Sequence, residues 1–146
     1  LSIRELPDDL TALVGQRISH IRRVLYVGPD GHIGSTGAIE LSCASGKVVV
    51  LDSGADGESI RVSDRPWEDP LGAPLSPQNR AWVDKAGKWA AFDVSGDPRY
   101  SPLVGELVTA VEPISEDTTI TGVVIRTPTA SLNAHVEFDD MVVTLS

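Results

Sequence analysis

Asp52, Asp56 and Glu58 are carboxylates two to four residues apart around Gly54 and Gly57, directly after the apolar run Val48-Val49-Val50-Leu51. Oxygen ligands at short spacing around a glycine turn are how calcium loops are built, so this segment is a candidate cation site. It departs from the EF-hand spacing, because Gly54 stands where a second ligand belongs and Ser63 where the bidentate acid belongs. Asp64, Glu68 and Asp69 would add ligands if the stretch that carries them folds back over the loop. The plainer reading is a polar turn after a buried strand, a place where Asp, Ser and Gly are the usual residues.

The same residues suggest a second chemistry. A hydrophobic strand ending in Asp52-Ser53-Gly54-Ala55 resembles the active-site segment of retroviral-type aspartic proteases, over about nine residues from Val48 to Asp56. The resemblance implies a catalytic Asp52, with Ser53 helping to hold it and Gly54 permitting a tight backbone. In that family each of two chains supplies one Asp, and the two carboxyls share a proton because both cannot ionise at close range. Elsewhere the sequence departs from the pattern. Lys85-Ala86-Gly87 has no apolar pair before its glycine, and the second half offers Leu132-Asn133-Ala134 where another Asp-Ser/Thr-Gly would be needed. The second Asp would have to come from a homodimer.

Other catalytic patterns are missing. His20, His32 and His135 are far apart, and a zinc site would need the fold to gather them with Cys43. There is no Gly-x-Ser-x-Gly elbow, and the glycines at 28, 31 and 34 do not lead into a helix with a Lys-Ser/Thr end. The sequence supports no enzyme class, and no cofactor is expected.

The chain has seven aromatic residues, and its three tryptophans all lie between positions 67 and 89. Tryptophan buries a large area and is enriched at binding hot spots, which makes Trp67, Trp82 and Trp89 candidates to line a groove for a peptide or small ligand. Arg61, Arg65 and Arg80 are near in sequence and suited to pair with a carboxylate, either internal or on the ligand. The competing reading is a small core joining a helix to a sheet, with Trp82 as its anchor.

At 146 residues and 41% hydrophobic, the chain is long enough for one domain or two tightly packed halves. The net charge of −9 argues against nucleic acid, whose phosphates would be repelled. No apolar run approaches the roughly 20 residues of a membrane helix, so no membrane association is expected. A lone Cys43 fits a reducing, cytoplasmic setting. The chain opens at Leu1 without Met, so a preceding leader stays possible.

Organisation is the strongest signal. Leu13-Val14-Gly15-Gln16-Arg17-Ile18 returns as Leu103-Val104-Gly105-Glu106-Leu107-Val108, and Thr36-Gly37-Ala38-Ile39 as Thr121-Gly122-Val123-Val124, at offsets of 90 and 85. This predicts a single mainly β domain over 1–146. Two related antiparallel meanders, about 13–63 and 103–145, would pack as a sandwich or barrel-like body. Residues 64–102 would be an insertion carrying one helix, about 77–86, capped by Ser76, started by Pro77 and ended by Gly87. Met141–Leu145 would form an edge strand able to pair with a second copy. The functional expectation is a non-catalytic binding module acting through the tryptophan region, with a small-molecule ligand or, given the acidity, a basic protein partner. Toxin-neutralising immunity proteins have a similar small acidic profile. The alternatives are an aspartic-type hydrolase at Asp52 and a cation-binding structural domain at Asp52, Asp56 and Glu58.

Overall fold

A turn of helix, α1 (Asp8–Thr11), is the first element among the described residues of this computed structural model, which describes residues 6–72 and 74–146. Asp8 and Asp9 sit in its first turn, at the positive end of the helix dipole, while Leu10 and Leu13 are fully buried. Gly15, at φ +86°, then turns the chain into the first strand.

The described residues form two antiparallel sheets. One comprises β1 (Ile18–Val27), β2 (Ile39–Cys43), β3 (Val48–Ser53), β4 (Ile60–Ser63) and β5 (Lys88–Asp93), in the order β4-β3-β2-β1-β5. The other comprises β6 (Ala110–Glu116), β7 (Thr119–Arg126), β8 (Ser131–Glu137) and β9 (Asp140–Leu145), in that order. β3 packs across β8 and β9, and β4 across β7, so the body is a sandwich rather than a closed barrel. Alternation puts Ile21, Ile39, Leu41, Val49 and Leu51 on the inner face of the first sheet, against Val123, Ile125, Leu132, Ala134 and Met141 of the second. No described helix is long and apolar enough to cross a membrane.

The two meanders meet in a reciprocal set of hydrogen bonds. Gly15 N–H donates to Val108 O (2.9 Å) and Gly105 N–H to Ile18 O (2.7 Å), while Ile18 N–H donates to Glu106 O (3.0 Å) and Val108 N–H to Gln16 O (2.9 Å). Exchanging residue n with n + 90 maps this set onto itself about the Arg17–Leu107 bridge, giving a local pseudo-twofold. The second sequence match needs a correction of one residue. Ile21 pairs with Leu41 and Val111 with Ile125, so β2 and β7 correspond at an offset of 84 rather than 85. At 85, buried Leu41 would map onto exposed Arg126; at 84 it maps onto buried Ile125. A slip of one residue turns every side chain to the other face, so burial decides the register.

The first strand of the second meander starts at Ala110, although the matched segment begins at Leu103, because Leu107 is used in the bridge to Arg17. Pro113 is tolerated inside it because β6 is an edge strand. The helix α2 (Pro77–Ala86) forms where predicted, with Ser76 Oγ accepting from Asn79 N–H (3.1 Å) and Gly87 at φ +80°, but it buries no residue. Trp82 is 59% exposed, so it does not anchor the helix.

β9 is an edge, as its position in the sequence suggests, although Gly37 N–H already donates to Met141 O (3.0 Å) near its start. Arg23 is buried at the end of the core, where its guanidinium donates to Tyr100 Oη (2.6 Å) and to the carbonyls of Gly37 (3.1 Å) and Ala38 (3.3 Å). That fixes the 35–38 segment from beneath.

Candidate functional site

The solvent-side face of the five-stranded sheet is set by the other half of the alternation. Residues opposite one another in an antiparallel pair share a face, which lines up Asp93, Arg22, Glu40, Val50 and Ser63 in one row. A second row brings Ala91 beside Val24, and the pair Asp52 and Arg61 faces the same way. Val24, Ala38 and Val50 are nearly fully buried there, with Val48, Trp67 and Ala91 packed on them. What buries them is the proline-rich strap of residues 64–72, which lies outside both sheets.

Glu40 holds the strap down. Its side chain is almost fully buried, Arg22 donates to it from Nε (2.5 Å) and Nη2 (2.8 Å), and the Trp67 N–H donates to Oε1 (2.7 Å). Arg22 Nη2 also donates to Trp67 O (3.0 Å), so one ion pair grips both polar groups of one strap peptide residue. Burial alone would push the Glu40 carboxyl up and is the largest single influence. The Arg22 hydrogen bond, the Trp67 N–H and the Arg22 charge together outweigh it and hold the carboxyl below its ordinary value.

The strap divides the face into hollows. One, of about 330 Å³, is lined by Trp67, Trp89, Asp52, Arg61, Asp139 and Asp140 over a floor that includes Val24, Ala38 and Met141. Next to it, Tyr26, Trp82, Trp89, Pro70, Leu71 and Ala86 surround an apolar hollow of about 290 Å³. On the strap's other side Arg65, Trp67 and Glu68 join Asp52 and Arg61 around about 390 Å³. Tyr26 and Trp89 meet edge to face at 5.5 Å, and both stay substantially exposed, as does Trp82. Gly37 makes this geometry possible. At φ +152°, a Cβ there would lie 1.9 Å from Val24 O and 3.1 Å from the Trp89 ring.

All three tryptophans therefore border one continuous surface, with Arg61 and Arg65 beside it; Arg80 lines none of these hollows. The cations in the surface are largely engaged. Arg61 donates to Asp52 Oδ2 (3.2 Å), its cross-strand neighbour, and Lys88 donates to Asp69, lowering that carboxyl. Asp139 and Asp140 enter no ion pair among the described residues.

The proposed chemistries at Asp52 are placed differently. Asp52 Oδ1 accepts from Ser53 N–H (2.8 Å) and Oδ2 from Arg61, so the carboxyl is engaged by donors. Asp56 Oδ1 accepts from Glu58 N–H (3.0 Å), Ser59 N–H (2.8 Å) and Ser59 Oγ (2.8 Å), bonds that lower its pKa and bind it into its own turn. Asp52, Asp56 and Glu58 do not converge, and no group of three His, Cys, Asp or Glu able to hold a metal occurs among the described residues. Cys43 is buried, and burial pushes its thiol up.

Sequence reasoning missed Arg22, Glu40, Tyr26, Gly37, Asp139 and Asp140. Only the two-residue turn at Phe138-Asp139 left a readable trace, as a break between two alternating runs. The chain matches no family model, no curated protein and no solved structure.

Proposed function

We propose that this protein is a non-catalytic binding module whose groove, bordered by Trp67, Trp82 and Trp89, receives an extended segment of a basic protein partner. The observation that carries the reading is the exposure of Trp82 (59%) and Trp89 (46%) on either side of an apolar hollow. Aromatic area left in water around an apolar hollow is what binding hot spots are made of. The charge balance supports a basic ligand. Among the described residues Asp139 and Asp140 enter no ion pair, and a lysine or arginine arriving there would meet carboxylates and the Trp67 and Trp89 rings together. The single buried Cys43 supports a cytoplasmic setting. A second copy could pair along the β9 edge beyond Met141, which concentration-dependent sedimentation would read.

Titration with a cationic peptide of arginine and leucine that contains no tryptophan, followed by the protein's tryptophan fluorescence, tests the reading. Trp82→Ala is the decisive variant because Trp82 is largely exposed and no residue of helix α2 is fully buried, so the fold loses little. Binding should weaken at least about tenfold, the loss of a hot-spot side chain. The reading fails if Trp82→Ala binds as tightly as the parent protein. Cleavage of the peptide near pH 4 that disappears in Asp52→Asn would instead favour the hydrolase.

A further inference from the structure

The β8–β9 hairpin ends in a residue that the fold does not need. Its two-residue loop, Phe138-Asp139, joins Glu137 to Asp140, and both loop residues have positive φ, +49° and +69°, the type I′ signature. Such positions favour Asn, Asp or Gly; a bulky aromatic is unusual there. Phe138 is also 90% exposed, so no packing compensates for the backbone it adopts. Gly57, at φ +71°, lies so close to Asp139 that an added Cβ would fall 1.7 Å from its carboxylate oxygen, and Asp139 N–H donates to Gly57 O (3.3 Å). The tip thus packs against Gly57, with its phenyl ring in water.

Beside the ring lies a hollow of about 510 Å³ lined by Glu58, Glu116, Asp117 and Glu137, with Val136 and Thr121 among its other lining residues and neither lysine nor arginine. Among the described residues Glu58, Glu116 and Asp117 enter no ion pair, and Glu137 faces only His135 Nε2 (3.2 Å). We propose that this hairpin end is a second docking surface, in which Phe138 packs against apolar side chains of a basic segment of a protein partner while the surrounding carboxylates meet its lysines and arginines. An exposed aromatic beside carboxylates that meet no lysine or arginine is complementary to a cationic surface that carries apolar side chains. The proposal uses none of the groove tryptophans, so it and the groove reading fail separately.

The probe is a labelled nonapeptide of Lys-Leu-Arg repeats, with Lys-Gly-Arg repeats as an equally charged control lacking apolar side chains. On titration, the backbone amide signals of Glu58, Asp117 and Phe138 should shift. Phe138→Asn should weaken binding at least about fivefold, as removal of a buried phenyl ring would. Its melting temperature should stay equal or rise, because asparagine suits the turn, and Trp82→Ala should leave these shifts unchanged. Glu116→Lys, a surface change, should weaken the same binding and reduce its salt dependence. Equal binding of the Lys-Gly-Arg control, parent-like binding by Phe138→Asn, or shifts confined to the groove would overturn the proposal.

Discussion

Replacing Glu40 by glutamine should release the strap while leaving the sandwich intact. The substitution keeps the volume but removes the charge that receives two Arg22 donors and the Trp67 N–H. Breaking a buried pair from one side costs about 3–5 kcal/mol. Arg22 is 34% exposed and can recover some hydration, so about 2–3 kcal/mol is the better figure here. For a chain of this length that corresponds to roughly 6–10 °C in Tm. Hydrogen exchange reads the local effect: the Trp67 amide should be protected in the parent protein and exchange rapidly in Glu40→Gln, while the Leu41 amide in β2 stays protected. A Tm within about 1 °C of the parent, with Trp67 protection unchanged, would show that the ion pair does not hold the strap.

Gly37→Ala should cost about 2–4 kcal/mol, because the Cβ would strike Val24 O and press on Trp89; a chemical denaturation midpoint unchanged at constant m would contradict this. Acid should destabilise the protein through carboxyls whose folded pKa lies below the unfolded value. Glu40 is lowered against the opposing effect of its burial, Asp69 by the Lys88 hydrogen bond, and Asp56 by Ser59. Each contributes fully above the unfolded carboxylate pKa, about 4, and the contribution is lost as pH falls through the lower folded value. Tm should therefore be level from pH 7 to about 5 and fall below about 4; a maximum near pH 3 would contradict the assignment. Trp82→Ala should leave Tm within about 2 °C, since an exposed side chain on a helix with no fully buried residue contributes little to stability, and a larger drop would mean Trp82 is core.

Periodicity and turn chemistry made the meanders readable. Ser76, Pro77 and Gly87 bracket α2 because they satisfy or stop free backbone groups. The repeat was visible at Leu13-Val14-Gly15 because both copies need the same left-handed glycine and the same buried leucine. Its second half was misaligned because Thr-Gly matches by letter, whereas the sheet is governed by parity. Trp82 misled through composition: tryptophan is usually buried, and its spacing on the helix carries no information about whether a sheet lies beneath. Glu40 was unreadable for a different reason. It stands in an apolar strand beneath a strap whose path depends on Arg22, and nothing local says that residues 22, 40 and 67 meet. The same holds for the groove, which brings Tyr26, Trp89 and Asp140 together from three strands in two sheets.

The three indole N–H signals provide the most direct test of the groove. During titration with the tryptophan-free arginine- and leucine-containing peptide, the Trp82 and Trp89 indole resonances should move together along one binding curve, with half-saturation rising as salt is added. Indoles that remain fixed while the peptide binds elsewhere would contradict the claim that this aromatic face is the contact surface.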